Sequence, residues 1–270
     1  IGGPRCAWSQ SHHYTTSASG SLAGPRVSHT WLGGLLDYYF ITGYNRAREV
    51  AESCADYCRR SAPYKWKDKL SEQVQRRALE PDVEWPFNAR DVGWSLTAMG
   101  TFFNAFPEER FLRAMEALVD LAEMWQDEQG RWRQSIGSFN RGSDPSASAA
   151  ILQGLQLYFE ATGDRRAYDV LLRGVAFLVN GGRTVEGLFY CYESPIADRP
   201  HSPAAELFGP LVFAFEATRD HEILESGFRF FRWLMDSGEV KACMVREIFA
   251  VIPLLDRMNL LEAYRGPDIK

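Results

Sequence analysis

Along most of the chain, a segment that is apolar on nearly every side is followed by one that is apolar on a single helical face. Four stretches carry this pattern: LLDYYFITGYNRAREVAESCADYC (35–58), MGTFFNAFPEERFLRAMEALVDLA (99–122), LQLYFEATGDRRAYDVLLRGVAFLV (155–179) and LVFAFEATRDHEILESGFRFFRWLM (211–235). Each reads as an apolar helix, a short turn and an amphipathic helix. Aligned on Thr42, Phe106, Thr162 and Thr218, the turns lie 64, 56 and 56 residues apart. A period of that length, with one helix pair per unit, belongs to solenoids and toroids, where each unit buries its flank against the next.

Turn chemistry supports the same division. Gly43 and Gly163 can adopt the positive φ that ends a helix, and Asp164 and Asp220 are suited to cap the helix that follows. Beyond the second turn, Phe111, Leu112, Met115, Leu118, Val119 and Ala122 recur at helical spacing, with Glu, Arg and Asp opposite. That is the signature of an outer helix, solvated on one side. Ile151-Leu152-Gln153-Gly154-Leu155 has little polar face, as expected of an inner helix. Inner helices are therefore predicted over about 28–42, 91–105, 146–161 and 203–217. A fifth is predicted over about 245–258, broken or kinked by Pro253. The chain is expected to be all-α: a single α/α-toroid domain over 1–270, built from repeated antiparallel helix hairpins. About nine or ten helices make a partial or incomplete ring.

Two insertions interrupt the repeat, at about 62–89 and 180–203. The first is rich in Lys, Arg and Trp and punctuated by Pro63, Pro81 and Pro86. The second opens Asn-Gly-Gly and carries an apparent strand, Gly187-Leu188-Phe189-Tyr190-Cys191-Tyr192. A shorter hairpin-like stretch runs from Gly130 to Gln134. All three precede an inner helix, so they are expected to gather on one face of the ring, where long loops are often functional.

Composition narrows the function. A content of 46% hydrophobic and 24% charged residues fits a globular core and excludes disorder. The net charge of -5 gives no general drive toward nucleic acid or acidic membranes, although a local basic cleft remains open to an anionic substrate. No apolar run reaches the ~18–20 residues that span a bilayer, so neither nucleic acid nor membrane is expected as a partner. The opening Ile1-Gly2-Gly3-Pro4 reads as the start of a piece of a longer product, which leaves the compartment open and further parent domains as possible partners. Cys54 and Cys58 lie four apart on one helix face, where buried thiols are common. No metal-ligand spacing or nucleotide-binding motif occurs, and no cofactor is expected.

Candidate chemistry comes from the geometry of the repeat. Inner helices that point their N-termini toward one mouth would line a common cavity with their first turns and preceding loops. The equivalent first-turn positions are Ser28-His29, Val92-Gly93, Ser148-Ala149 and Ala204-Ala205. Their surroundings supply Arg26, Arg90, Asp91, Trp94, Asp144, His201 and Glu206, and Arg246 with Glu247 holds a similar place on the fifth inner helix. His12, His13 and Tyr14 lie in a polar stretch near the start, either as an exposed loop or as acid–base and binding groups. Asp144, before Pro145, reads first as an N-cap, and Arg90-Asp91 as an ion pair at a helix start. Glu206 lies in an apolar helix, where a carboxylate is costly unless paired or functional. Trp31 and Trp94 stand near the mouth as core or as stacking platforms, and Tyr190 and Tyr192 offer an aromatic wall beside a sugar.

The segment Pro25-Arg26-Val27-Ser28-His29-Thr30-Trp31-Leu32-Gly33-Gly34, continuing to Gly43, resembles α/α-toroid domains of carbohydrate-active proteins. So does Arg90-Asp91-Val92-Gly93-Trp94-Ser95-Leu96, with the later Gln126-Asp127-Glu128-Gln129-Gly130-Arg131-Trp132. The resemblance is greatest to the rhamnogalacturonan exolyase-like (YetA-like) group. Similar hairpins occur in unsaturated glucuronyl hydrolases and β-L-arabinofuranosidases, but the cysteine–zinc cluster of the latter is not visible here. This resemblance implies an enzyme acting on an acidic polysaccharide or oligosaccharide, with a polysaccharide lyase as the first expectation. In such a site Arg26 and Arg90 would neutralise the uronate carboxylate, with His29 or Tyr14 as base or acid. Glu206 is the carboxylate whose catalytic role would instead signal a glycoside hydrolase, alongside Asp91, Asp144 and Glu247. A non-catalytic glycan-binding or structural toroid is the third alternative.

Overall fold

The computed structural model describes residues 27, 30–61, 72, 89–133, 142–191, 199–200, 202–238, 249, 251–252 and 255. Its helices are α1 (Gly33–Thr42), α2 (Asn45–Ser61), α3 (Ala89–Ala105), α4 (Glu109–Trp125), α5 (Pro145–Thr162), α6 (Arg165–Asn180), α7 (Phe208–Thr218) and α8 (His221–Ser237), with a 3-10 helix (Ser202–Leu207) leading into α7. Each odd-numbered helix packs on the even-numbered one that follows. The inner row α1, α3, α5 and α7 is backed by the outer row α2, α4, α6 and α8. No described helix is long and apolar enough to cross a membrane.

The hairpin turns repeat atom for atom. Thr42, Thr162 and Thr218 each donate their hydroxyl to the carbonyl four residues back, at 2.6, 2.7 and 2.8 Å. The next residue is left-handed in each case: Gly43 at φ 70°, Gly163 at φ 72° and Arg219 at φ 58°. The threonine oxygen then accepts from the backbone N–H of Tyr44, Asp164 or Asp220, each at 3.2 Å. Asp164 and Asp220 cap the outgoing helices by accepting from Arg166 N and Glu222 N. The second turn, Phe106-Pro107-Glu108, lacks this chemistry, and α4 starts without a side-chain cap.

α3 and α5 lie side by side in register with the 56-residue repeat. Arg90 meets Ser146, and a Cβ on Gly93 would overlap the backbone of Ala150. Further along, Gly154 faces Leu96 and Gly100 faces Leu157. Glycine at positions 93 and 154 is what lets two helix backbones approach this closely.

Two expected boundaries are corrected. α1 starts at Gly33 rather than near residue 28: Thr30 and Leu32 are buried ahead of the helix, and Trp31 packs edge-on against Trp94 with centroids 4.9 Å apart. The fourth inner helix opens as a 3-10 turn because Pro210 has no N–H to give the carbonyl of Glu206 four residues earlier. That carbonyl instead accepts from Gln153 Nε2 at 2.8 Å, tying the turn to α5. The apparent strand at 187–192 is also corrected. Among the described residues only isolated antiparallel bridges form, Arg183 with Phe189 and Tyr190 with Pro200, because a tight turn occupies the residues just before them.

That turn is itself repeated. After α4, Asp127 N donates to Arg131 O and Gly130 N to Asp127 O, both at 2.9 Å. After α6, Thr184 N donates to Leu188 O at 2.7 Å and Gly187 N to Thr184 O at 2.9 Å. Each turn delivers an aromatic plug beneath the next outer helix. Trp132 lies against Gly174 and donates its indole N–H to Ala122 O at 2.8 Å; Phe189 lies against Phe230 at 5.2 Å.

Cys54 and Cys58 are buried, as their spacing implied. Burial pushes the Cys58 thiol from 9.0 up to about 12. It also drives the Tyr158 phenol from 10.0 to about 12, with the Asp164 charge adding to the rise. A pKa raised by folding contributes stability that is complete below the unfolded value and is lost as pH rises through the folded one. The denaturant midpoint should therefore fall steadily between about pH 9 and pH 12. A Cys58→Ala variant should show a shallower fall. An equal slope in the variant would remove Cys58 from the explanation.

Candidate functional site

The N-terminal ends of α3 and α5 form a hydrogen-bonded chain of side chains. Asp144 caps α5 conventionally: its Oδ1 accepts from Ser146 N at 2.9 Å and Ala147 N at 3.2 Å. Pro145 follows at the first helical position, where its missing N–H costs nothing. The same Oδ1 accepts the Ser146 hydroxyl at 2.7 Å, so that hydroxyl presents its lone pairs to α3. Arg90, on the first turn of α3, donates to it through Nη2 at 2.7 Å and stands 3.6 Å from Asp144 Oδ2. The carboxylate side chain is 6% exposed and the arginine 31%, so the anion is a buried anchor and the cation still reaches the surface. Two helix termini and two side-chain bonds hold this guanidinium in place, which is the preorganisation an anion or oxyanion site needs.

Trp94 lies one turn after Arg90 on the same helix. It is 3% exposed, and the half-buried Trp31 covers it edge-on. Ser95 and Thr97, on the next turn of α3, have buried hydroxyls that meet no partner among the described residues, so hydrogen-bonding capacity remains below the arginine.

The structure thus joins Arg90 to Asp144 and Trp31 to Trp94. Asp91 departs from this group: its charge helps raise the pKa of Tyr57 and Cys58 on α2. Glu206 is half-buried in the 3-10 helix, whose carbonyl bond to Gln153 places it beside α5. Tyr190 is 3% exposed and offers no open ring face, because its bridge to Pro200 and the adjoining turn enclose it. His12, His13, Tyr14, Arg26, His29, Tyr192, His201, Arg246 and Glu247 lie outside the described residues. Ser146 was not singled out from the sequence. Its signal was the repeat itself, since it stands 56 residues after Arg90. Among the described residues no group of His, Cys, Asp and Glu is arranged to hold a metal ion.

No family model and no curated protein sequence matches the chain. Among solved structures it is similar to cellobiose 2-epimerase from Bacillus thermoamylovorans B4167, with a TM-score of 0.52 and 16% identity over 76% of this chain. The fold is a partial α/α toroid. The match spans 58% of the epimerase chain. In the toroid, the Arg90–Ser146–Asp144 chain sits at the N-terminal ends of two adjacent inner helices.

Proposed function

We propose that this toroid is a carbohydrate-active enzyme that handles an acidic polysaccharide or oligosaccharide at the mouth around Arg90, by β-elimination. The observation that carries this reading is the part-exposed Arg90 guanidinium, fixed by Ser146 and Asp144 next to the Trp31–Trp94 pair. A guanidinium matches a carboxylate in charge and shape, and the face of an indole suits the apolar side of a sugar ring.

In the proposed reaction a base removes the proton on the carbon bearing the uronate carboxylate. The electron pair forms the new C=C bond, the bond to the glycosidic oxygen breaks, and that oxygen takes a proton from an acid. Arg90, with Arg26, stabilises the negative charge that builds on the carboxylate, while His29 or Tyr14 serves as base or acid. Asp144 is occupied as helix cap and ion-pair partner, which weakens the paired-carboxylate hydrolase reading and leaves Glu206 as its main candidate.

A second reading rests on the structural likeness. A 2-epimerase inverts the carbon next to a carbonyl, so it also removes a proton from carbon and must stabilise an enolate-type oxygen. Arg90 would serve that chemistry equally.

The test is product analysis on acidic polysaccharides and on cellobiose. Unsaturated uronate products support elimination, and a C2 epimer supports the second reading. New reducing ends without unsaturation would transfer the site to hydrolysis, and no turnover on any glycan would favour a binding role. Arg90→Ala should lower kcat/KM by about 10²–10³-fold, the scale of losing one preorganised charge partner. Asp144→Asn keeps a capping oxygen but removes the ion pair, so it should preserve folding and reduce activity less than Arg90→Ala.

A further inference from the structure

The two repeated turns after α4 and α6 meet the next outer helix differently. After α4, Gly130 (φ 89°) lies so close to α6 that a Cβ would overlap the carbonyl of Arg173. Arg173 Nε also donates to Gln126 Oε1 at 2.9 Å, so that junction is closed. After α6, Gly187 has nearly the same conformation (φ 78°), but it rests on the guanidinium of Arg229, which holds the position of Arg173 one 56-residue repeat later. The turn is therefore held off the helix backbone by a side chain. A groove of about 710 Å³ opens between it and α8, lined by Glu186, Glu225, Phe228, Arg229, Trp233 and Asp236 among others. Arg229 and Glu225, although four apart on α8, form no ion pair or hydrogen bond with any described residue. Among the described residues Glu186 accepts from the Thr184 hydroxyl alone, at 2.9 Å.

From this contrast we propose a second saccharide-binding site in the groove between the 184–188 turn and α8, suited to a neutral sugar chain. Its volume falls in the range of small-molecule sites, about 300–1,000 Å³. The wall carries three carboxylates (Glu186, Glu225, Asp236) and two guanidinium groups (Arg229, Arg232), which disfavours a strongly anionic ligand. Sugar hydroxyls donate and accept at once, so they use carboxylates and guanidinium groups together. Phe228 and Trp233 supply the apolar surface for the C–H face of a pyranose. This site lies on the outer row of helices and is independent of the chemistry assigned to Arg90.

The experiment is a binding titration, followed by saturation-transfer NMR, with cellotetraose, xylotetraose and mannotetraose. It uses the full chain as wild type, Arg229→Ala, Glu225→Gln, Trp233→Ala and Arg90→Ala. At least one of these sugars should bind the wild type and Arg90→Ala equally, and lose about tenfold or more in affinity in Arg229→Ala and Trp233→Ala. Arg229 is exposed and has no ion-pair or hydrogen-bond partner among the described residues, so its variant stays informative even where Trp233→Ala fails to fold. Binding that vanishes with Arg90→Ala while surviving Arg229→Ala would overturn the proposal, as would no binding of any of the three sugars. Loss of turnover in Arg90→Ala with groove binding intact separates this site from the reaction site.

Discussion

Gly93→Ala is expected to lower the melting temperature by about 6–12 °C, from a destabilisation of about 3 kcal/mol. Intrinsic helix propensity argues the other way, since alanine is better than glycine inside a helix by about 1 kcal/mol. Sterics decide the sign. The new Cβ would meet the carbonyl carbon of Ala150 and the amide nitrogen of Ile151, and these backbone atoms cannot rotate aside as a side-chain tip can. α3 and α5 would have to separate at the level where Arg90 reaches Ser146, so binding of acidic sugars should weaken as well. Gly163→Ala is the control. Its site has open space but φ 72°, so it should cost only about 1–2 kcal/mol of left-handed strain. Equal melting temperatures for Gly93→Ala and wild type would show that the inner helices are not in contact at this point.

The second large effect is expected at Trp132, which is 1% exposed and among the largest fully buried side chains. Trp132→Ala should destabilise the protein by about 3–5 kcal/mol, read as a shift in the denaturant midpoint. The indole fills the space that Gly174 leaves on α6 and donates to Ala122 O at the end of α4, so its removal opens a cavity and leaves that carbonyl with only the Gln126 N–H of its two donors. Trp132→Phe, which resembles the Phe189 plug of the next repeat, should lose less. A midpoint shift for Trp132→Ala no larger than that of an exposed residue would contradict this role.

The hairpins were legible because their signals are local. A threonine and a left-handed position mark three of the four turns within a few residues, an aspartate cap is added in the last two, and helical periodicity separates inner from outer helices. Asp144 was readable as a cap for the same reason. What escaped depends on contacts between repeats. Ser146 looks like any first-turn serine until α3 lies beside it. The 3-10 start before α7 follows from Pro210, but the Gln153 side chain that donates to the freed Glu206 carbonyl is 53 residues away from it. Tyr190 reads as an aromatic wall from its place in the long insertion, whereas the structure buries it after the 184–188 turn. The groove beside α8 has no local signature at all: Glu225, Arg229 and Trp233 at four-residue spacing read as an ordinary solvated face.

The most direct measurement is a crystal structure of the chain with a bound uronate-containing oligosaccharide. The carboxylate should lie within hydrogen-bonding distance of the Arg90 guanidinium, with Ser146 and Asp144 still holding Arg90 from behind and the sugar alongside Trp31. An oligosaccharide bound at the opposite ends of the inner helices, with Arg90 contacting no sugar, would contradict the account.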